Sequence, residues 1–418
     1  MKLQGVNVLI DAYNLELPYS TGIKTYGKTL IKALQLLGAN VKILTSKNLA
    51  TKEPILSEVL WYDTSNNSPL NRFSLFISGI KAVSGILWKA SKIKRAGFVI
   101  PKDREDEAFL DSVDVFALPR CYTIAYLVQK IYPSATAIIP ERIDIWHTTY
   151  PVPLQIKGAK RITTIHDLIP LRLPYATLDD KKVFYRNVKS ALKSSAVILT
   201  VSESTKNDIL EAYEIDPNKI FVTYQPVFLP QISHEKVHEV VKSYGLKYGD
   251  YILFVGTIEP KKNVARLIRA YNLVGTNMPL AIVGRKGWMY EDVEPLLKKK
   301  GVKWLSNVPS KDLSYLYAGA YCFVFPSLYE GFGLPPLEAM SVGCPVITSN
   351  VSSLPEVCGD AALYVDPYNV SDIREKLEKI LSDRDLREKM VSKGRERAKL
   401  FSMENYIEKL YKAYSSVL

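Results

Sequence analysis

Short, nearly continuous apolar runs recur along the chain with helix-period segments between them, and this alternation is its tightest folding constraint. The runs lie at residues 6–10, 41–44, 143–146, 162–165, 197–201, 252–255, 280–283, 323–325 and 346–348. Runs of four or five apolar residues without polar alternation are strands buried on both faces, which in a β/α alternation means parallel sheet. At 418 residues, the chain exceeds the roughly 250–300 residues at which a single core stops growing, so two doubly wound domains are expected. The alternation pauses at residues 225–248, where Pro226 and Pro230 precede a soluble helix-like stretch at 234–244. The interdomain linker is placed there, and the expected function lies in a cleft between two sets of strand ends.

Other classes fall away on composition. With 47% hydrophobic and 23% charged residues, the chain is neither disordered nor low-complexity. Its four cysteines (Cys121, Cys322, Cys344, Cys358) show no zinc-type spacing, and a reducing compartment is expected. No apolar run approaches the ~20 residues a membrane helix needs, and the first residues do not form a secretory leader; a cytoplasmic protein is expected. Residues 1–100 hold 13 basic and 5 acidic side chains, eight of the net +12, so this region is expected to face something anionic. Residues 71–98 combine Leu75, Phe76, Ile77, Ile80, Val83, Ile86, Leu87 and Trp88 with Lys89, Lys92, Lys94 and Arg95. That pattern predicts an amphipathic basic helix with an aromatic anchor, suited to the inner face of a membrane or to a protein core. No nucleic-acid module accompanies the positive charge, so nucleic acid is not an expected partner.

The most informative stretch is Phe325-Pro326-Ser327-Leu328-Tyr329-Glu330-Gly331-Phe332-Gly333-Leu334-Pro335-Pro336-Leu337-Glu338. It reads as a strand, a tight loop and a helix. Gly331 and Gly333 let backbone N–H groups approach a ligand, and the positive end of the helix points at the same place. The result is a pocket for hydroxyls or anions. Glu330 in the loop and Glu338 in the helix address different parts of one extended ligand, and carboxylates accept paired hydrogen bonds from vicinal hydroxyls. A molecule with a sugar at each end, as in a nucleotide sugar, suits both. A second motif, Gly256-Thr257-Ile258-Glu259-Pro260-Lys261-Lys262-Asn263, ends a strand with two lysines placed to meet a diphosphate.

These motifs, with Gly343-Cys344-Pro345-Val346-Ile347 and Leu354-Pro355-Glu356, resemble the retaining glycosyltransferases of family 4, which have the GT-B fold: α/β, two Rossmann-like domains facing a cleft. The resemblance implies an acceptor-binding domain at 1–232, a donor-binding domain at 233–400, and a final helix at 401–418 that packs back on the first domain. It implies that Glu330 hydrogen-bonds the transferred sugar, that the amides of Phe332, Gly333 and Leu334 hold its hydroxyls and phosphate, and that Glu338 grips the ribose. Lys262 would bind the diphosphate. The family commonly has an arginine directly after the strand glycine, where this chain has Thr257; Lys261 is the first candidate for that cation and Arg285 the second. Tyr19-Ser20-Thr21-Gly22-Ile23 resembles the family's glycine loop, bringing Gly22 to the diphosphate. His166, in Thr164-Ile165-His166-Asp167, would contact the donor sugar near the reacting centre, with His147 a weaker candidate.

The implied activity is transfer of a hexose from a nucleotide-diphosphate sugar to a glycan or lipid-linked acceptor in surface polysaccharide synthesis. Retention of configuration and no metal or other cofactor are implied with it, and mannose from GDP-mannose is favoured. Asp383-Arg384-Asp385 spells an acidic triplet used for metals elsewhere, but it sits in a helix-period charged stretch and is taken as a solvated face. An epimerase or hydrolase of nucleotide sugars on the same fold, or a non-catalytic scaffold, are the alternatives.

Overall fold

The computed structural model describes residues 2–16, 22–49, 51, 53–63, 72–84, 88–94, 96–100, 113–228 and 232–418, with only the backbone described for 72–76. The first sheet contains β1 (Asn7–Asp11), β2 (Asn40–Thr45), β3 (Ser91–Ile93), β4 (Asp114–Ala117), β6 (Ile145–Thr148), β8 (Lys160–Ile165), β9 (Val197–Thr200) and β10 (Ile220–Val222), while β5 (Ala135–Ala137) and β7 (Leu154–Ile156) pair apart from it. Its eight strands run in the order β10-β9-β8-β6-β1-β2-β4-β3, all parallel except for the antiparallel edge β3. The second sheet contains β11 (Ile252–Val255), β12 (Leu280–Val283), β13 (Val302–Leu305), β14 (Cys322–Phe325), β15 (Val346–Ser349) and β16 (Ala362–Val365), in the order β13-β12-β11-β14-β15-β16. It is parallel throughout.

Each expected apolar run contributes a strand. Central strands such as Leu253, Phe254, Phe323 and Phe325 are fully buried, because helices cover both faces of a parallel sheet. The strand order reverses between β1 and β6 in one sheet and between β11 and β14 in the other. At each reversal the connections leave to opposite faces, which opens a crevice at the carboxyl ends of the two strands. His166 follows β8, beside the first reversal. Lys262 follows β11 and Glu330 follows β14, the two strands of the second reversal.

The chain returns to its beginning. Val227 N–H donates to Phe401 O at 2.9 Å, and the last helix, Met403–Ser415, packs against Gly22–Leu36. His147 is fully buried there, with Nδ1 2.5 Å from the Tyr414 hydroxyl and Nε2 2.8 Å from Thr164 Oγ1. The weaker histidine candidate is therefore a core residue that joins the last helix to the first sheet.

Residues 71–98 differ from the expectation of one anchored helix. The helix covers Arg72–Ser84, and Ser91–Ile93 forms an edge strand. Trp88, the expected membrane anchor, is only 4% exposed and packs in the core with Phe116 and Trp146. Burying a tryptophan's large apolar area against a sheet is more favourable than leaving it at a surface. Lys92 pairs with Asp114 and Glu141, each at 2.9 Å. Ile77, Ile80 and Val83 remain exposed on the helix; the side chains of Leu75 and Phe76, and residues Ile86, Leu87 and Arg95, lie outside the described residues. The acidic triplet has a local role, since Asp383 caps the helix Arg384–Lys399 by accepting from Leu386 N–H at 2.9 Å.

Burial pushes the His147 pKa down from 6.5 to about 3. The unfolded chain therefore takes up a proton below pH 6.5 that the folded chain refuses, so this residue's contribution is complete above pH 6.5 and is lost as pH falls toward 3. The sign is the same for His166, depressed to about 4 by burial, and opposite for Asp11, raised to about 6 by burial. Replacing His147 with Gln leaves the other two in place. Urea denaturation between pH 6 and pH 4 should show a stability–pH slope shallower than wild type by about 1.4 kcal/mol per pH unit; equal slopes would refute the assignment.

Candidate active site

The turn after β11 carries Lys261 and Lys262 in a short 3-10 segment, Pro260–Lys262. It is terminated by Asn263, whose left-handed φ of 60° an asparagine tolerates better than most residues. The Asn263 amide donates to the carbonyls of Pro326 and Pro367 at 2.9 and 2.6 Å, tying the lysine turn to the loop after β14. In that loop Glu330 is 8% exposed, with its carboxylate 2.5 Å from Lys262 Nζ. Lys262 Nζ also lies 4.8 Å from the centre of the Phe325 ring, a cation–π contact. Burial alone would raise the Glu330 pKa, but Lys262 and Lys261 outweigh it and hold the carboxyl below its ordinary value.

Lys261 lies 3.5 Å from Glu259. Burial works against its charge, yet Glu330, Glu259 and Asp167 keep its pKa above the ordinary lysine value. Asp167 comes from the other sheet, directly after His166, and burial raises its pKa, as it does for Glu259. Two lysines and three carboxylates thus converge where the two sets of strand ends meet. Lys261, the first candidate for the second cation, stands in this cluster. Arg285 is exposed on the next turn, where its carbonyl accepts from Ile258 N–H at 2.8 Å.

The glycines of the loop have steric reasons. A Cβ on Gly331 would stand 2.4 Å from the His166 carbonyl, and Gly333 has a φ of +101°. Ser353 Oγ lies 2.9 and 2.7 Å from the carbonyls of Glu330 and Phe332, which share its one hydroxyl proton, and Glu330 N–H donates to Ser352 Oγ at 3.0 Å. Gly333 precedes the helix Leu334–Ser341. Phe332 is buried against Phe401, ring centres 5.8 Å apart, and Leu334 is half-buried. Glu338, one turn into that helix, accepts from the Tyr317 hydroxyl at 3.1 Å, and burial raises its pKa.

His166 Nε2 lies 3.0 Å from the Thr149 carbonyl; a carbonyl only accepts, so this nitrogen carries the proton and Nδ1 is left as an acceptor. The Tyr26 ring packs edge-on against it at 4.7 Å. At neutral pH this imidazole is uncharged. Gly22 begins the helix Gly22–Leu36 and is exposed, with nothing among the described residues within 4 Å of a Cβ placed there. Tyr19, Ser20 and Thr21 lie outside the described residues.

Of the expected residues, the structure gathers Glu330, Lys262 and Lys261 at one point, with the His166 carbonyl against Gly331 and Glu338 one turn into the helix that follows the loop. Asp167 and Glu259 were missed by sequence reasoning, although Asp167 adjoins His166 and Glu259 lies two residues before Lys261.

Comparison with known proteins agrees with this arrangement. The glycosyl transferases group 1 profile matches residues 235–397, and the glycosyltransferase family 4 profile matches residues 98–229. O-antigen chain mannosyltransferase B of Escherichia coli is 38% identical over 303 residues, covering 69% of this chain and 79% of that protein. The chain belongs to the family 4 glycosyltransferases. O-antigen chain mannosyltransferase RfbU of Salmonella typhimurium is 34% identical over 49% of this chain and 56% of its own. Serotype-specific mannosyltransferase WbdA of Escherichia coli is 32% identical over 56% of this chain but only 31% of its own length.

The fold is GT-B. The structure of Anabaena Alr3699/HepE in complex with UDP and glucose superposes with a TM-score of 0.67 at 13% identity, covering 98% of this glycosyltransferase and 100% of that chain. Sucrose-phosphate synthase from Thermosynechococcus elongatus gives 0.68 at 17% identity over 99% of both.

Removing one member of a buried ion pair strands the other, whereas replacing both is far milder. Lys262→Met should therefore destabilise this glycosyltransferase by about 3 kcal/mol, and adding Glu330→Gln should recover a large part of that loss. Additive effects in urea denaturation would show that the two side chains do not depend on each other.

Proposed function

We propose that this glycosyltransferase moves a mannosyl residue from a nucleotide-diphosphate sugar, GDP-mannose in first place, to a glycan or lipid-linked acceptor in surface polysaccharide synthesis. The observation that carries this reading is the Lys262–Glu330 contact of 2.5 Å, set between two sheets at their strand-order reversals. Mannose is supported by the names of the relatives, which are O-antigen and serotype-specific mannosyltransferases; HepE, a structural neighbour, holds UDP and glucose.

In this reading the donor lies along the second sheet, with its ribose on Glu338 and its diphosphate on Lys262 and Lys261. Its sugar sits between Glu330 and the neutral His166, held also by the amides of Phe332, Gly333 and Leu334. Gly22 brings its backbone to the diphosphate from the first sheet, the side from which the acceptor approaches. Glu330 occupies Lys262 before the donor arrives, so a diphosphate frees the carboxylate to accept from sugar hydroxyls. Charge-assisted contacts from two lysines stabilise the leaving nucleoside diphosphate and take the part that a divalent cation plays elsewhere, so transfer proceeds without metal or other cofactor. As the resemblance to the retaining family implies, the acceptor enters on the face the diphosphate leaves, and configuration is retained.

Glu330→Gln should lower kcat at least a hundredfold while circular dichroism and melting temperature show a folded protein. Wild-type turnover in that variant would reject the assignment. A thermal-shift panel of nucleotide sugars should single out GDP-mannose, because only a ligand bound to the native state raises its melting temperature.

The exposed Ile77, Ile80 and Val83, with Ile55, Leu56 and Val59 on the helix Pro54–Tyr62 and Phe98 and Ile100 nearby in sequence, give the basic N-terminal region an apolar surface for an anionic membrane. None of the described helices is long and apolar enough to cross one. Co-sedimentation with phosphatidylglycerol vesicles should weaken in an Ile77→Asn/Ile80→Asn variant; undiminished pelleting would remove this part of the reading.

A further inference from the structure

The Leu354-Pro355-Glu356 motif was grouped with the donor site by resemblance, but its carboxylate faces the other half of the molecule. Glu356 accepts from the backbone N–H groups of Glu203 and Ser204 at 2.6 and 3.0 Å, the first turn of the helix Glu203–Ala212 beside β9. An anion there meets both the unpaired N–H groups and the positive end of the helix.

The same helix touches the donor half at two further places. Its capping residue Ser202 accepts from Thr205 N–H at 3.0 Å and donates its hydroxyl to Gly331 O at 2.6 Å. Near its end, Asp208 accepts from the Tyr329 hydroxyl at 2.6 Å while also pairing with Arg172. Meanwhile Thr205 Oγ1 donates to His166 O at 3.0 Å. One helix therefore grips the loop on both sides of Glu330, at residues 329 and 331, and also the strand end that carries His166.

Glu356 is held rigidly for this contact. Arg397 donates to the carbonyls of Val357 and Glu356 at 2.8 and 2.5 Å. Ser352 and Ser353, a few residues earlier, hold the Glu330 backbone from its own side, Glu330 N–H donating to Ser352 Oγ at 3.0 Å and Ser353 Oγ to the Glu330 carbonyl at 2.9 Å.

We propose that Glu356 and Ser202 are positioning residues for transfer: they latch the donor loop onto the helix Glu203–Ala212, setting Glu330 against His166 only when the two halves are closed. This rests on the reading of Glu330, Lys262 and Glu338 as the donor site. All three belong to the second half and supply most of the donor contacts, so the latch acts on alignment for transfer far more than on nucleotide-sugar affinity.

The test uses the full chain with GDP-mannose, or whichever nucleotide sugar the thermal-shift panel selects. Its readouts are donor dissociation constant, kcat for release of nucleoside diphosphate with mannose-terminated oligosaccharide as acceptor probe, and radius of gyration by small-angle scattering. Glu356→Ala should lower kcat about tenfold or more with a much smaller change in the donor dissociation constant, and should enlarge the radius of gyration. Ser202→Ala should give the same split and Ser202→Thr, which keeps the hydroxyl, should restore kcat. If Glu356→Ala fails to fold, the Ser202 pair decides alone. Unchanged kcat, or kcat and affinity falling by one common factor, would overturn the latch. Failure of the wild type to bind any nucleotide sugar would instead overturn the donor-site reading beneath it.

Discussion

Two lysine ammonium groups and three carboxylates held out of water at one place constrain the rest of the molecule. A buried charge is tolerable only when partners of opposite sign surround it. Here the partners come from three separate chain segments: the turn after β11 supplies Glu259, Lys261 and Lys262, the loop after β14 supplies Glu330, and the end of β8 supplies Asp167. The cluster can form only when both sheets are complete and their carboxyl ends face each other. Its composition also suits its task, since lysines kept charged by carboxylates are ready for a diphosphate that displaces those carboxylates.

The supporting structure keeps these groups from drifting. The Asn263 amide ties the lysine turn to the residues beside Glu330, Ser353 fixes the loop's carbonyls, and Gly331 admits the His166 carbonyl where any side chain would collide. Alignment of this kind matters because transfer depends on reacting atoms being held at near-contact distance rather than on a strong acid or base. The last helix closes the arrangement from behind through Tyr414 and His147.

Membership of the family 4 glycosyltransferases and the GT-B fold agree with what the sheets and the site show independently. Conserved architecture alone would not identify a reaction, since one fold serves many chemistries. Glu330 and Lys262 are informative because they arrive together from two strand ends, with the backbone of the strand end that carries His166 against Gly331.

The sequence by itself determined nine of the sixteen described strands, the division into two sheets and the loop–helix geometry around Glu330, because apolar period, glycine placement and helix starts are local properties. It also marked Glu330, Lys261, Lys262 and His166, which sit at strand ends where ligands bind. Only the tertiary structure decided that Trp88 is core rather than membrane anchor, that His147 holds the last helix, that Asp167 and Glu259 complete the charge cluster, and that Glu356 reaches across to Glu203 and Ser204. Most of those depend on partners brought up from distant parts of the chain. Periodicity and spacing carry no record of such distant partners; burial and hydrogen bonding choose them as the two sheets close.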